Sequence, residues 1–329
     1  MAAEQLARVA AANTRIISYR ADIDGLRAVA VLAVIAFHLN RAWLPGGYVG
    51  VDIFFVISGF LITRIISREM AEGRFSFRWF YVKRMRRILP VFYTVTVCTV
   101  VVGSVLLLPA DVKSLMDSAR HAIFFVANVY FGRSKGYFDI AADEKPLLHT
   151  WSLAIEEQYY LFWPLLLLAM VWACRLVLRR RARQVWPTVA GLTLSLAVGG
   201  YVYAQYALVV HPGAQEYYFQ IQTRFSELMT GSFIALVPLW NRPKALRALA
   251  YLGALLILAG LTLLTEQSRF PGVNAILPCV GAALIIYAGQ SDVVVHSAWL
   301  HRWLGLKAMS TVGLWSYSLY LWHWPILAY

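Results

Sequence analysis

Residues 26–44 read LRAVAVLAVIAFHLNRAWL, and from Ala28 to Phe37 this stretch holds no polar side chain. A helix rises 1.5 Å per residue, so a run of this length covers about 28 Å, close to the hydrocarbon thickness of a bilayer. The same ruler finds eight further apolar runs, near 48–66, 88–108, 155–173, 188–210, 225–240, 246–264, 273–288 and 311–329. A run at 119–131 is too short to cross and reads as an interfacial or re-entrant helix. The expected fold is therefore an all-α polytopic membrane protein with about nine transmembrane helices plus that one short helix.

Composition agrees with the runs. Of the 329 residues, 60% are hydrophobic and 14% charged, against about 45–50% and about 25% in soluble domains. An ordinary soluble enzyme, a disordered tail and a disulfide-rich secreted module are all excluded. Cys98, Cys174 and Cys279 lie inside apolar runs, so no disulfide or zinc framework is expected. The segment 1–25 has no cleavable apolar core, which makes the first run a retained anchor and leaves 26–329 as one transmembrane domain.

The formal net charge of +13 raises nucleic acid as a partner, but the cations lie in alternate connections. Arg64, Arg68, Arg74, Arg78, Lys83, Arg84, Arg86 and Arg87 crowd the second connection. Arg175, Arg179, Arg180, Arg181 and Arg183 follow the fourth run, Arg242, Lys244 and Arg247 the sixth, and Arg302 and Lys307 the eighth. The connections between them hold few cations or balance them: Lys113, Arg120, Arg133, Lys135 and Lys145 face Asp111, Asp117, Asp139, Asp143 and Glu144. By the positive-inside rule the N-terminus is cytoplasmic. The charge is a topology signal, and no nucleic-acid partner is expected.

Ionisable side chains inside a bilayer are costly, so each marks a candidate site. Arg27 and His38 are eleven residues apart in the first run. Eleven steps of 100° come within about 20° of three full turns, so both lie on one helix face, separated by roughly 16 Å along the axis. Arg27 could simply snorkel to headgroups, and His38 could simply make a packing hydrogen bond. A neutral imidazole at that depth can also act as a general base. Asp52, near the start of the second run, could pair with His38, while Ser58 and Gly59 suit close helix packing. Arg84, Arg86 and Arg87, just before Pro90, either anchor the chain to anionic lipid or clamp phosphates with their guanidinium forks.

The fourth run opens with His149-Thr150-Trp151-Ser152 and continues to Glu156-Glu157-Gln158. At spacing i, i+3, i+7, His149, Ser152 and Glu156 form one stripe. At least one of Glu156 and Glu157 must face a wet cavity or a cation. With no second histidine nearby, zinc is weakly supported and no metal is expected. Ser316, Tyr320 and His323 share a stripe in the last run, where Trp315, Trp322 and Trp324 read as an interfacial belt. The arginines thus lie toward one membrane edge and His38, Asp52, His149, Glu156, Glu157 and His323 toward the other, an arrangement suited to moving a group across.

At these residues the chain resembles the membrane-bound acyltransferase 3 family, whose bacterial members O-acylate cell-surface carbohydrates and some small molecules. Arg27 and His38 match its arginine–ten residues–histidine signature. Gly50-Val51-Asp52 with Phe54 through Ile62, the basic set Arg84, Arg86 and Arg87, the segment His149 to Gln158 and the segment Ser316 to His323 match four more motifs in order. The resemblance implies an acyl donor such as acetyl-CoA and transfer to a hydroxyl of a carbohydrate or glycolipid such as O-antigen lipopolysaccharide. It implies a multi-pass place in the bacterial cytoplasmic (inner) membrane, in contact with lipid. Its implied roles are Arg84, Arg86 and Arg87 on the donor's phosphates, with the pantetheine arm passing Arg27, and His38 as base or transient acyl carrier. Asp52 or Glu156 would orient the His38 ring. His149, Ser152, Glu157, Tyr320 and His323 would contact substrate. Family members usually have a tenth span, and some add an extracytoplasmic SGNH-type domain; the chain is expected to be incomplete, ending at Tyr329 within the ninth run. A transporter or flippase of a lipid-linked saccharide is the rival class, although no internal repeat supports it.

Overall fold

The computed structural model describes residues 19–133, 145–178, 182–213 and 215–329. Among the described residues every regular element is helical. In chain order the helices are α1 (Ala21–Leu39), α2 (Gly50–Ala71), α3 (Phe77–Leu106), α4 (Pro109–Ile123), α5 (Ala127–Arg133), α6 (Thr150–Val177) and α7 (Val185–Val210). They continue with α8 (Ile221–Leu236), α9 (Pro243–Leu263), α10 (Ile276–Ala288), α11 (Asp292–Ser297), α12 (Trp299–Leu304) and α13 (Lys307–Ala328).

Every expected apolar run falls on one of these helices, but the ends differ. Helix α1 starts at Ala21, inside the segment assigned to the N-terminal tail, and stops at Leu39 rather than residue 44. Asn40 ends it in extended backbone, its side-chain oxygen accepting from the Ala42 amide. Helix α3 begins eleven residues before its apolar run, where Ser76 caps it by accepting from the Trp79 amide. The hydrocarbon ruler sees only the apolar part of a helix whose first turns are basic. Residues 1–18, Lys135, Asp139, Asp143, Glu144 and Arg179 to Arg181 lie outside the described residues.

The single short helix expected at 119–131 is two helices, α4 and α5, broken at Phe125, whose φ is +53°. The break is held from α6, where Gln158 Nε2 donates to the Phe125 carbonyl at 2.9 Å and to Asn128 Oδ1 at 2.8 Å. Helix α4 buries Leu115, Ser118, Ala119 and Ala122 and exposes Lys113, Asp117 and Arg120, the pattern of a helix lying along an interface.

Among the described residues five helices are long and apolar enough to cross a membrane: Gly47–Ala71 (α2 with its leading 3₁₀ turn), α3, α6, α7 and α9. The remaining runs fall short of that mark because of what they carry. Asp22, Asp24 and Arg27 stand in α1, α8 is 16 residues long and holds Arg224 and Glu227, and α13 holds serines, tyrosines and His323. Helix α2 is the hub: 72% of its apolar window is buried, against 28–39% for the other four. Those four instead expose apolar rows such as Val97, Val101 and Val105 on α3, which mark a lipid-facing surface.

Two close crossings position the polar side chains. Gly59 of α2 and Gly231 of α8 sit backbone to backbone, because a Cβ on either would strike the other helix's carbonyl at Leu228 or Val56. Gly313 of α13 presses on the Asp24 carbonyl of α1 in the same way. That second crossing lays α13 along α1 and brings His323 to His38.

Candidate active site

A cavity opens between α1, α2, α3, α6 and α13. Arg27, Arg84 and Arg87 line it on one side, Ser152 and Tyr320 line it next to His149, and Ser316 lines it one turn beyond the Gly313–Asp24 crossing. Its middle is apolar, walled by residues such as Phe54, Ile57 and Leu61. Arg84 and Arg87 share a face of α3 because they are three residues apart. Arg86, two residues from Arg84, does not line the cavity, contrary to the expectation that it acts with them.

The wall beside the arginines is ordered. The Arg84 guanidinium lies 3.9 Å from the Tyr160 ring centroid. Tyr160 Oη donates to Glu156 Oε2 at 3.3 Å, and Ser58 Oγ donates to Glu156 Oε1 at 2.8 Å. Arg27 is steadied by Asp24 Oδ1 at 3.4 Å. Two buried polar atoms of the lining, Arg84 Nε and Ser316 Oγ, have no protein partner. Nearby, Glu72 is held below the usual carboxylate range by hydrogen bonds from Arg68 and Arg74. Arg68 and Arg74 therefore share that one carboxylate.

The far end meets a histidine cluster. Tyr320 Oη lies 2.6 Å from Ser152 Oγ and donates to the His149 carbonyl at 3.1 Å. The His149 and His323 ring centroids are 5.9 Å apart, and both nitrogens of buried His149 lack a protein partner. His323 Nδ1 contacts the Tyr320 carbonyl at 2.6 Å, and His323 Nε2 lies 3.1 Å from His38 Nδ1. Beyond them a second recess is lined by His38, Leu39, Asn40, Arg41 and Trp324. The arginine cavity and the His38 recess thus meet across Tyr320, His149 and His323.

Asp52 and Glu156 do not orient the His38 ring, contrary to expectation. Glu156 is taken up by Ser58 and Tyr160, and the partner at His38 Nδ1 is His323. Asp52 is fully buried at a different place, its Oδ1 accepting from Arg224 Nη1 at 2.9 Å. The same nitrogen donates to Glu227 Oε1 at 2.7 Å, and Arg224 Nε donates to the Tyr218 carbonyl at 3.0 Å. The guanidinium is further enclosed by the rings of Tyr218, Trp151 and Phe270 at 4.5, 5.1 and 5.1 Å. Cys279 approaches as well: its sulfur and the two carboxylates lie within 4.8 Å of one another. Arg224 already serves as the cation of that group. Glu157 is half-buried beside the cavity without lining it.

Sequence reading missed Arg224 and Glu227. Their signal was present, two opposite charges three residues apart at the start of an apolar run. The apolar run begins at residue 225, which leaves Arg224 just outside it and Glu227 inside its first turn.

Comparison with known proteins bears on this arrangement. The sequence profile of Acyl_transf_3, an acyltransferase domain, matches residues 20–329. The peptidoglycan O-acetyltransferase OatA of Listeria monocytogenes is 34% identical over 324 residues, covering 94% of this chain and 49% of the relative. An uncharacterized protein of Haemophilus influenzae is 38% identical over 248 residues, covering 73% of this chain and 98% of the relative. A Staphylococcus aureus protein provisionally named an O-acetyltransferase is 31% identical over 326 residues, covering 94% and 51%. The chain therefore spans about half the length of the Listeria and Staphylococcus relatives. No solved structure matches it.

Proposed function

The chain belongs to the Acyl_transf_3 acyltransferase family, and from that premise we propose that it transfers an acetyl group from acetyl-CoA to a hydroxyl of an envelope carbohydrate. One observation carries the proposal: a cavity runs from three arginines to Tyr320, whose backbone carbonyl contacts His323, the hydrogen-bond partner of His38. The arginine end takes the donor. Guanidinium groups match phosphate oxygens in charge and fork geometry, and the apolar middle suits a pantetheine arm. Arg84 Nε and Ser316 Oγ are buried donors that acceptor oxygens of a bound donor molecule would satisfy. Arg86 has no part in this contact.

At the other end His38 is the general base. It takes the proton of the acceptor hydroxyl as that oxygen attacks the thioester carbonyl. The new C–O bond forms, the C–S bond breaks, and the CoA thiolate leaves to be protonated from solvent. Because the cavity ends at Tyr320 while His38 lines the far recess, donor and acceptor approach from opposite ends. The cation-rich connections at the arginine end support a cytoplasmic donor side, and with it a place in the bacterial inner membrane with the acceptor outside.

The Listeria relative's name makes peptidoglycan the first acceptor to try, ahead of O-antigen. A flippase reading draws no support from the family. Inverted membrane vesicles carrying the protein, supplied with radiolabelled acetyl-CoA, test the proposal. Alkali-labile label in glycan is expected with the wild type and absent with His38→Ala. Equal label from both would overturn the assignment of His38.

A further inference from the structure

We infer that His323 is a positioning residue that locks His38 in the tautomer bearing its lone pair on Nε2. This rests on the assignment of His38 as the base. A carbonyl oxygen only accepts, so the 2.6 Å contact between His323 Nδ1 and the Tyr320 carbonyl places a hydrogen on Nδ1. In a neutral imidazole the second nitrogen, Nε2, then carries the lone pair. That nitrogen lies 3.1 Å from His38 Nδ1, so the hydrogen between the rings belongs to His38. With Nδ1 protonated, the basic atom of His38 is Nε2.

The ring is also fixed in direction. The His323 ring lies edge to edge with it, centroids 5.2 Å apart and planes within 26°, as an in-plane hydrogen bond between ring nitrogens requires. The Trp324 indole meets it edge-on at 4.6 Å, and Trp324 is itself tied by Nε1 to the Lys145 carbonyl at 2.8 Å. The hydrogen bond to His323 and the edge contact with Trp324 restrict rotation of the His38 side chain. The relay ends on a backbone carbonyl rather than a carboxylate. It therefore selects tautomer and direction without supplying a negative charge to steady the imidazolium.

This geometry also corrects the expected role of His323. Both of its ring nitrogens are engaged within the protein, so it offers no nitrogen to a substrate.

Glutamine separates positioning from bulk, because its Oε1 can stand where His323 Nε2 stands and accept from His38 Nδ1. Leucine fills similar space and accepts nothing. The wild type, His323→Leu, His323→Gln and His38→Ala are compared in membranes at matched amounts of monodisperse protein. Acetyl-CoA is the donor, chitopentaose is the acceptor probe, and thiol release and acetylated sugar are both measured. His323→Leu is expected to lower kcat about 100-fold, at the low end of what a positioned base contributes, with KM for either substrate within about twofold of wild type. His323→Gln is expected to recover kcat to within about fivefold, since the acceptor contact alone restores the tautomer.

Wild-type kcat in His323→Leu, or a glutamine variant as slow as the leucine one, would overturn the positioning role. A rise in KM without a fall in kcat would make His323 a substrate contact instead. An active His38→Ala variant would remove the base assignment and this inference together. An inactive His38→Ala beside a fully active His323→Leu would remove the tautomer lock alone.

Discussion

Replacing Arg224 with leucine tests how the bundle tolerates charge at its centre. The guanidinium is fully buried and donates to Asp52 at 2.9 Å and to Glu227 at 2.7 Å, with aromatic rings on its faces. Leucine leaves two carboxyl groups facing each other without a cation. Removing one partner of a buried ion pair costs about 3–5 kcal/mol. At about 2 °C per kcal/mol for a chain of this size, the apparent melting temperature should fall by about 6–10 °C. The assay is the fraction of monodisperse protein left after heating in detergent, read by fluorescence-detected size exclusion. Asp52→Asn should cost less, because Glu227 still faces the guanidinium. Combining Arg224→Leu with Asp52→Asn and Glu227→Gln should recover part of the loss, since no uncompensated charge remains. If Arg224→Leu melted with the wild type, the ion pair would not hold α2 to α8. If Asp52→Asn kept full stability but lost acyl transfer, Asp52 would belong to the chemistry after all.

Three further outcomes follow from other parts of the molecule. Arg84→Ala and Arg87→Ala should each raise KM for acetyl-CoA about tenfold, the loss of roughly one charge-assisted phosphate contact. Exposed Arg86→Ala should stay within about twofold; three equal effects would mean that the set is topogenic or acts as a diffuse field. Gly231→Ala places a methyl against the Val56 carbonyl and should destabilise the bundle by about 1–3 kcal/mol as an overpacked core site does, with unchanged melting as the refuting result. Burial pushes the His301 imidazole below its ordinary 6.5, against an opposing pull from Asp22. The unfolded chain therefore binds a proton there before the folded one does. Stability is lost as pH falls through about 6.5, by at most about 1.4 kcal/mol per pH unit. His301→Gln should show a smaller drop in melting temperature between pH 7.5 and 5 than the wild type, and identical drops would refute the assignment.

Much of the architecture could be read from sequence because a bilayer imposes one length on every crossing and forbids unsatisfied backbone. That constraint placed the helices and flagged Arg27 and His38 as sharing a face, since their spacing is a property of one helix. It could not show that His38 meets a residue 285 positions later, or that Asp52 meets one 172 positions later. Those pairings depend on which helices cross, and the crossings are set by small residues such as Gly59, Gly231 and Gly313 whose partners are invisible in sequence. Asp52 was therefore assigned to the nearest histidine by order along the chain, while its true counter-ion stood just outside the expected limits of its run. The split of Arg84 and Arg87 from Arg86 was legible. The same 100° step that joined Arg27 to His38 turns Arg86 away from Arg84 by about 160°.

A donor bound in the cavity between the arginines and Tyr320 would cover Ser316. Its hydroxyl lines that cavity, is buried and has no protein partner, so Ser316→Cys places a thiol on the donor path. The measurement is the rate at which a small maleimide labels residue 316, with and without saturating acetyl-CoA, in protein whose native cysteines are first replaced. Acetyl-CoA is expected to slow labelling at least tenfold, and adding Arg84→Ala is expected to abolish the protection. A labelling rate unmoved by acetyl-CoA, in protein that still transfers acetyl groups, would contradict donor binding in this cavity.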